Sequence, residues 1–179
     1  KILLPTTSER HAIFKKRVDG MKPFINKQDK IFEIGTSMGF FVNAALKEGW
    51  DVSGVEINTN LVDFVRTKYG VDIHQGLFEN VKLTEKYDVI VMWEVLEHIV
   101  NPGELLKKVS SLLNSGGRFM ATLPNIEGVE FQVCGPSHEI IEAPGHLNYF
   151  SEKTLKQLLE KCGFTFKHFS TPGILDFVN

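Results

Sequence analysis

The stretch IFEIGTSMGFF, residues 31–41, decides how this chain is read. An apolar run carrying one acid, Glu33, stops at Gly35, and a second glycine follows at Gly39. The pattern is that of a buried strand running into a glycine turn, with helix-forming residues beyond it. Glycine lets a backbone take left-handed conformations and approach a ligand closely, so such a turn is a candidate binding loop. What it binds depends on the sequence to either side.

Upstream, Ile13, Phe14, Val18 and Met21 stand at helical spacing and predict a first helix over residues 9–21. Downstream the elements alternate. A helix over 39–48 closes at Gly49, a strand follows over 50–56, a helix over 58–69 closes at Gly70, and a short strand covers 71–74. Residues 87–93, YDVIVMW, are nearly all apolar, as expected of a central strand buried on both faces. Asn101 and Pro102 cap and open a helix through Leu113, residues 114–117 form a turn, and 118–123 make a fifth strand. Ser151 caps a helix through Lys161 that ends at Gly163, and 164–170 predict a sixth strand. This alternation implies βαβ units in an α/β, doubly wound, mostly parallel sheet with helices on both faces. The irregular segment 124–145 exceeds the ~12–15 residues usual for a structureless loop and reads as a lid or substrate loop.

Composition narrows the function. A chain of 179 residues with 42% hydrophobic and 23% charged residues fits one globular domain over residues 1–179. A net charge of −2 offers no electrostatic footprint for nucleic acid and argues against that partner. Cys134 and Cys162 form no C-x-x-C pair and read as free thiols of a reducing compartment. No apolar run approaches the ~20 residues of a membrane span and no leader pattern opens the chain, so a cytoplasmic protein is expected. The start at Lys1 rather than Met fits a chain trimmed or excised from something longer.

A dinucleotide loop, G-x-G-x-x-G, would need glycines at 35, 37 and 40, but Ser37 and Phe40 occupy two of those positions. The pattern acidic-x-Gly-x-Gly-x-Gly fits at Glu33, Gly35 and Gly39, with Ser37 in place of the middle glycine. In this the stretch resembles the first motif of the class I S-adenosylmethionine-dependent methyltransferases, which implies a Rossmann-like fold and a cofactor without phosphate. That cofactor ends in an amino acid, whose ammonium favours a carboxylate such as Glu33. The alternative is a buried or salt-bridged Glu33 beside an ordinary tight turn. Glu56 ends the second strand 21 positions after Gly35, where an acid can hold two ribose hydroxyls. The resemblance implies a cofactor set of Glu33, Gly35, Thr36, Ser37, Gly39, Glu56, Ile57, Leu77, Phe78, Trp93 and Glu94. At Leu77 and Phe78 many of the family carry an acid and an alanine instead.

Residues 93–99, WEVLEHI, followed by Asn101-Pro102, are similar to a subgroup that includes ubiquinone-biosynthesis O-methyltransferases. So is HLNYFS at 146–151. Glu94, Glu97 and His98 stand at i, i+3 and i+4, so a helical turn would put all three on one face. Some relatives hold a divalent metal with such a cluster and a further histidine, for which His146 is the candidate; the metal is not favoured over a structural role. Methyl transfer asks mainly for alignment, but a hydroxyl acceptor must also lose a proton. His98 and His146 are the candidate bases, each against a structural hydrogen bond. His138, beside Glu139, is a candidate acceptor contact, and Ile126, Val129, Phe131 and Val133 line a pocket or cover the core.

The expectation is S-adenosylmethionine-dependent O-methylation of a small molecule, sugar or lipid precursor. Alternatives are a metal-dependent RNA 2′-O-methyltransferase, an NAD-dependent oxidoreductase and a non-catalytic cofactor-binding module. A homodimer is left open. The family's sheet usually has seven strands; the short run 173–179 predicts that the seventh is missing or completed by further chain or a neighbouring copy.

Overall fold

A computed structural model of the chain describes residues 6–135, 141 and 144–171. Two compact units are present: Lys1–Val91 with Leu112–Met120, and Met92–Ser111 with Ala121–Asn179.

The first unit is built on the predicted strand–turn–helix. Helix α1 (Thr7–Met21) opens with a capping box in which Thr6 Oγ1 accepts from Glu9 N and Glu9 Oε2 accepts from Thr6 N. Strand β1 (Lys30–Ile34) leads to α2 (Phe40–Lys47), β2 (Asp51–Glu56), α3 (Thr59–Tyr69) and β3 (Ile73–Gln75). Asn58 caps α3 with its side-chain oxygen. Strand β1 pairs with β2 in parallel, Glu33 opposite Gly54, and β2 pairs with β3 in parallel. With β4 (Tyr87–Trp93) and β5 (Leu113–Thr122) they form a five-stranded parallel sheet flanked by helices, in the order β3-β2-β1-β4-β5. Val89, Ile90, Val91 and Met92 are fully buried, as the apolar run implied, but the middle of the five strands is β1, and β4 is an interior strand between β1 and β5. The order reverses between β1 and β4, and in such sheets ligands bind beyond the carboxyl ends of the strands at that point.

The second unit carries a 3-10 turn (Leu96–His98), α4 (Pro102–Leu112), α5 (Val129–Cys134) and α6 (Glu152–Lys161). Ser151 caps α6 through Thr154. No described helix is long and apolar enough to cross a membrane.

Three expectations need correction. Strand β5 begins at Leu113 and absorbs the expected turn. There a Cβ on Gly117 would lie 2.9 Å from Asn114 O and 3.1 Å from Asp88 O, so only glycine fits that approach. The segment 124–145 is not wholly irregular, since α5 lies within it, between Gly128 and Gly135. Residues 164–170 form no strand. An extended run becomes a strand by pairing; Phe164 N instead closes α6 on Leu159 O, and Thr171 accepts a bond from Asn125 Nδ2. The seventh-strand expectation at 173–179 lies outside the described residues, as do His138 and Glu139.

Candidate active site

In the first unit the glycine loop is folded onto the end of β2. Gly35 N and Thr36 N both donate to Val55 O, at 2.9 and 3.2 Å, and Gly39 N donates back to Thr36 O at 2.8 Å. Gly35 (φ 81°) and Gly39 (φ 73°) take the left-handed conformations that the sequence implied, and Ser37 joins them at φ 48°. The Ser37 amide donates to Glu56 Oε2 at 2.8 Å, while Asn58 N donates to Glu56 Oε1 at 2.9 Å. Glu56 is buried, so its carboxylate first holds the loop in shape. The loop also requires Gly54, where a Cβ would sit 2.5 Å from Thr36 Cγ2 and 2.6 Å from Glu33 O.

Glu33 lies at the floor of this loop, 1% exposed, with Oε2 lacking any hydrogen-bond partner. Burial pushes its carboxyl well above the ordinary range and the Glu56 charge adds to that, against a lowering by the Arg17 guanidinium. Thr36 Oγ1 is likewise buried without a hydrogen-bond partner. Two orphaned oxygens beside a glycine turn suit a ligand bearing hydrogen-bond donors and positive charge. Arg17 is a residue the sequence reading missed. It belongs to α1, and nothing in the linear pattern joins that helix to Glu33.

The apolar candidates separate. Ile57 and Leu77 are exposed, 58% and 47%, at the ends of β2 and β3. The Phe78 ring is buried, with its centroid 6.3 Å from that of Phe32, so it belongs to the core. Phe40, where a dinucleotide loop would need its third glycine, is buried with His11 and Phe14 against it.

The second unit holds the candidate bases His98 and His146. Trp93 is half-buried at the end of β4. Glu94 turns the chain sharply at φ 53°, donating from its amide to Thr122 O and accepting from Thr122 Oγ1 at 2.6 Å. The one-faced helical cluster of Glu94, Glu97 and His98 is therefore not formed. The helical turn starts only at Leu96, after the reversal. In place of Glu94 the group recruits His146, whose ring centroid is 4.8 Å from that of His98. One ligand atom from each of Glu97, His98 and His146 falls within 4.8 Å of the others, the spacing of a potential metal site.

Glu97 is 1% exposed and neither carboxylate oxygen has a hydrogen-bond partner. Burial raises its pKa and the Glu94 charge adds to this, while its own backbone, His98 and His146 pull the other way. His98 Nδ1 lies 2.7 Å from Gly145 O. A carbonyl can only accept, so Nδ1 carries a proton in this bond, and in the neutral form of the ring the lone pair is on Nε2. That nitrogen lies 3.9 Å from Glu97 Oε1. In the neighbouring loop Val129 and Val133 are exposed, while Ile126 and Phe131 are half-buried.

Comparison with known proteins bears on the family and the fold. Residues 7–168 match the family described as a methyltransferase domain. A ubiquinone biosynthesis O-methyltransferase of Coxiella burnetii (strain Dugway 5J108-111) is 26% identical over 137 residues, covering 68% of this chain and 58% of the relative. The chain thus spans little more than half the length of that protein. A homologue of the same description from Hydrogenovibrio crunogenus is 26% identical over 122 residues, covering 63% of this chain and 51% of its own. A SAM-dependent methyltransferase from Archaeoglobus fulgidus shares the fold with a TM-score of 0.71 at 21% identity, over 87% of this chain and 69% of that one. The glycopeptide N-methyltransferase MtfA, complexed with S-adenosylmethionine, superposes with a TM-score of 0.57 at 17% identity, over 64% and 55% of the two chains. The dinucleotide alternative, already short of two glycines, has no support among these. The chain belongs to the class I S-adenosylmethionine-dependent methyltransferases, enzymes that take their methyl group from that cofactor.

Proposed function

We propose that this chain binds S-adenosylmethionine over the Gly35–Gly39 loop and methylates a hydroxyl oxygen of a small molecule, sugar or lipid precursor. For the cofactor, the support is Glu33 Oε2, a buried and bare carboxyl oxygen at the floor of a left-handed glycine turn. Bound there, the cofactor supplies a methyl group already activated on a sulfonium. Glu33 would receive its ammonium, Arg17 its carboxylate, and Glu56 its ribose hydroxyls, with Ile57 and Leu77 as apolar contacts for the base.

For the acceptor, the observation that carries the reading is the 2.7 Å contact of His98 Nδ1 with Gly145 O. With Nδ1–H committed to Gly145 O, Nε2 is left as a proton acceptor on a ring that is 44% exposed. An oxygen nucleophile must lose its proton during transfer, and an imidazole suits that task near neutral pH. His146, packed against His98, is the second candidate. The test is a screen with methyl-labelled cofactor against pooled hydroxylated metabolites. His98→Gln should abolish most transfer while S-adenosylhomocysteine still binds; full activity in both His98→Gln and His146→Gln would sink the base assignment.

A second reading is favoured by the spacing of Glu97, His98 and His146 and by the bare Glu97 carboxyl. Those three could hold a divalent cation, which would lower the pKa of an acceptor hydroxyl and orient it. This reading fits a small-molecule acceptor as well as RNA. Activity that survives exhaustive chelation would remove it.

A further inference from the structure

We infer that Asn148 is a positioning residue that sets the orientation of Glu97 and His98. The 3-10 turn bearing them is three residues long. So short a turn has little stability of its own, and its last carbonyls lack partners within it. The partners come from residues 145–148. Glu97 O accepts from Leu147 N at 2.8 Å and from Asn148 N at 3.0 Å. The Asn148 side chain then donates from Nδ2 to Ile99 O at 2.6 Å, with Leu96 O and Glu97 O each at 3.5 Å. Three residues upstream, Gly145 O receives His98 Nδ1. One short piece of chain therefore fixes the turn's backbone and the tautomer of its imidazole together.

The residue type follows from the surroundings. The three acceptors that Nδ2 reaches are all backbone carbonyls, so a donor is needed there, and an amide supplies two N–H groups without a charge to bury. An aspartate side chain in its place would be isosteric but would aim lone pairs at three carbonyl oxygens; hence Asn148→Asp is the informative change. Released from the clamp, the turn no longer presents His98 Nδ1 to Gly145 O. Both tautomers then become populated, and the lone pair is on Nε2 only part of the time.

The functional side of this inference rests on the proposed role of His98, but its test does not need an acceptor. Nitrogen-15 histidine NMR of the whole chain, with the His98 signal assigned by its loss in His98→Gln, reads the tautomer directly. Wild type should show a single Nδ1–H form; Asn148→Asp should show a mixture of forms, with S-adenosylhomocysteine affinity unchanged within about twofold. Asn148→Ser, which keeps one donor, serves if the first variant does not fold, and should fall between. An unaltered His98 tautomer in a folded variant overturns the proposal. Where a methyl acceptor is in hand, Asn148→Asp should lower kcat about tenfold to a hundredfold at unchanged cofactor KM. It should add almost nothing in the His98→Gln background, whereas multiplicative losses would mean that Asn148 acts independently of His98. Failure of the methyltransferase reading would show as absent cofactor binding, with the tautomer result intact.

Discussion

The backbone amide of Ser37 donates to Glu56 Oε2 at 2.8 Å, which ties the middle of the glycine loop to the end of β2. The bond holds a serine at φ 48°, where glycine is the favoured residue. The left-handed conformation costs a residue with a Cβ about 1–2 kcal/mol. Part of that is returned by the greater freedom that glycine gives the unfolded chain. Ser37→Gly should therefore stabilise the protein by somewhat under about 1 kcal/mol, a rise in Tm of roughly 2–4 °C at most for a chain of this size. Thermal unfolding measures it, and a lower Tm would mean that the Ser37 hydroxyl matters more than its backbone.

Both Glu56 oxygens already accept backbone amides, so the ribose contact proposed for it would be a second load on the same carboxylate. Glu56→Gln turns one of those oxygens into a donor facing an amide N–H. One part-buried N–H is then left without its acceptor and the loop loses its charged anchor. Affinity for S-adenosylhomocysteine should fall about tenfold or more, with some loss of Tm. Calorimetric titration decides it; unchanged affinity would show that Glu56 serves neither loop nor ligand.

Gly54 offers a test of the scaffold without touching charge. A Cβ there meets Glu33 O, a backbone atom of the paired strand, at 2.6 Å, and no rotamer change relieves that. Gly54→Ala should cost about 2–3 kcal/mol, the upper end of overpacking penalties, and weaken cofactor binding through the displaced loop. Denaturant unfolding with a wild-type midpoint would refute the tight β1–β2 approach.

The sheet was legible because its signals are local. The apolar run at 87–93 gives a buried interior strand, and Gly35 and Gly39 give the loop. What escaped the sequence depends on distant partners. Arg17 reaches Glu33 electrostatically from another element. Glu94 leaves the expected helical cluster because it sits at a bend with φ 53° before the 3-10 turn begins at Leu96, and i, i+3, i+4 spacing presumes a helix. Residues 164–170 have strand-like composition, but a strand is defined by its partner, and none pairs with them among the described residues. His146 was anticipated beside His98; Asn148, which holds that region together, carried no chemical signal in the sequence.

In the proposed complex Glu33 would link the free and cofactor-bound forms through a proton. Its carboxyl is held well above the ordinary value of 4.5, chiefly by burial, so in the free protein the folded state keeps a proton that the unfolded chain has already lost. Stability then falls as pH rises from about 4.5 towards the raised folded value, because over that window the folded state binds more protons than the unfolded one. Glu33→Gln removes the titration, so the variant should lose less stability over the same window and match or exceed wild type at its upper end. A cationic ammonium beside Glu33 reverses the preference and favours the carboxylate. Below the raised pKa, binding should therefore release a proton, seen as a dependence of calorimetric heat on the ionisation enthalpy of the buffer. Glu33→Gln should abolish that release and weaken S-adenosylhomocysteine binding about tenfold or more. Binding without proton release, at undiminished affinity in the variant, would take Glu33 out of the cofactor site and leave it a buried acid under a tight turn.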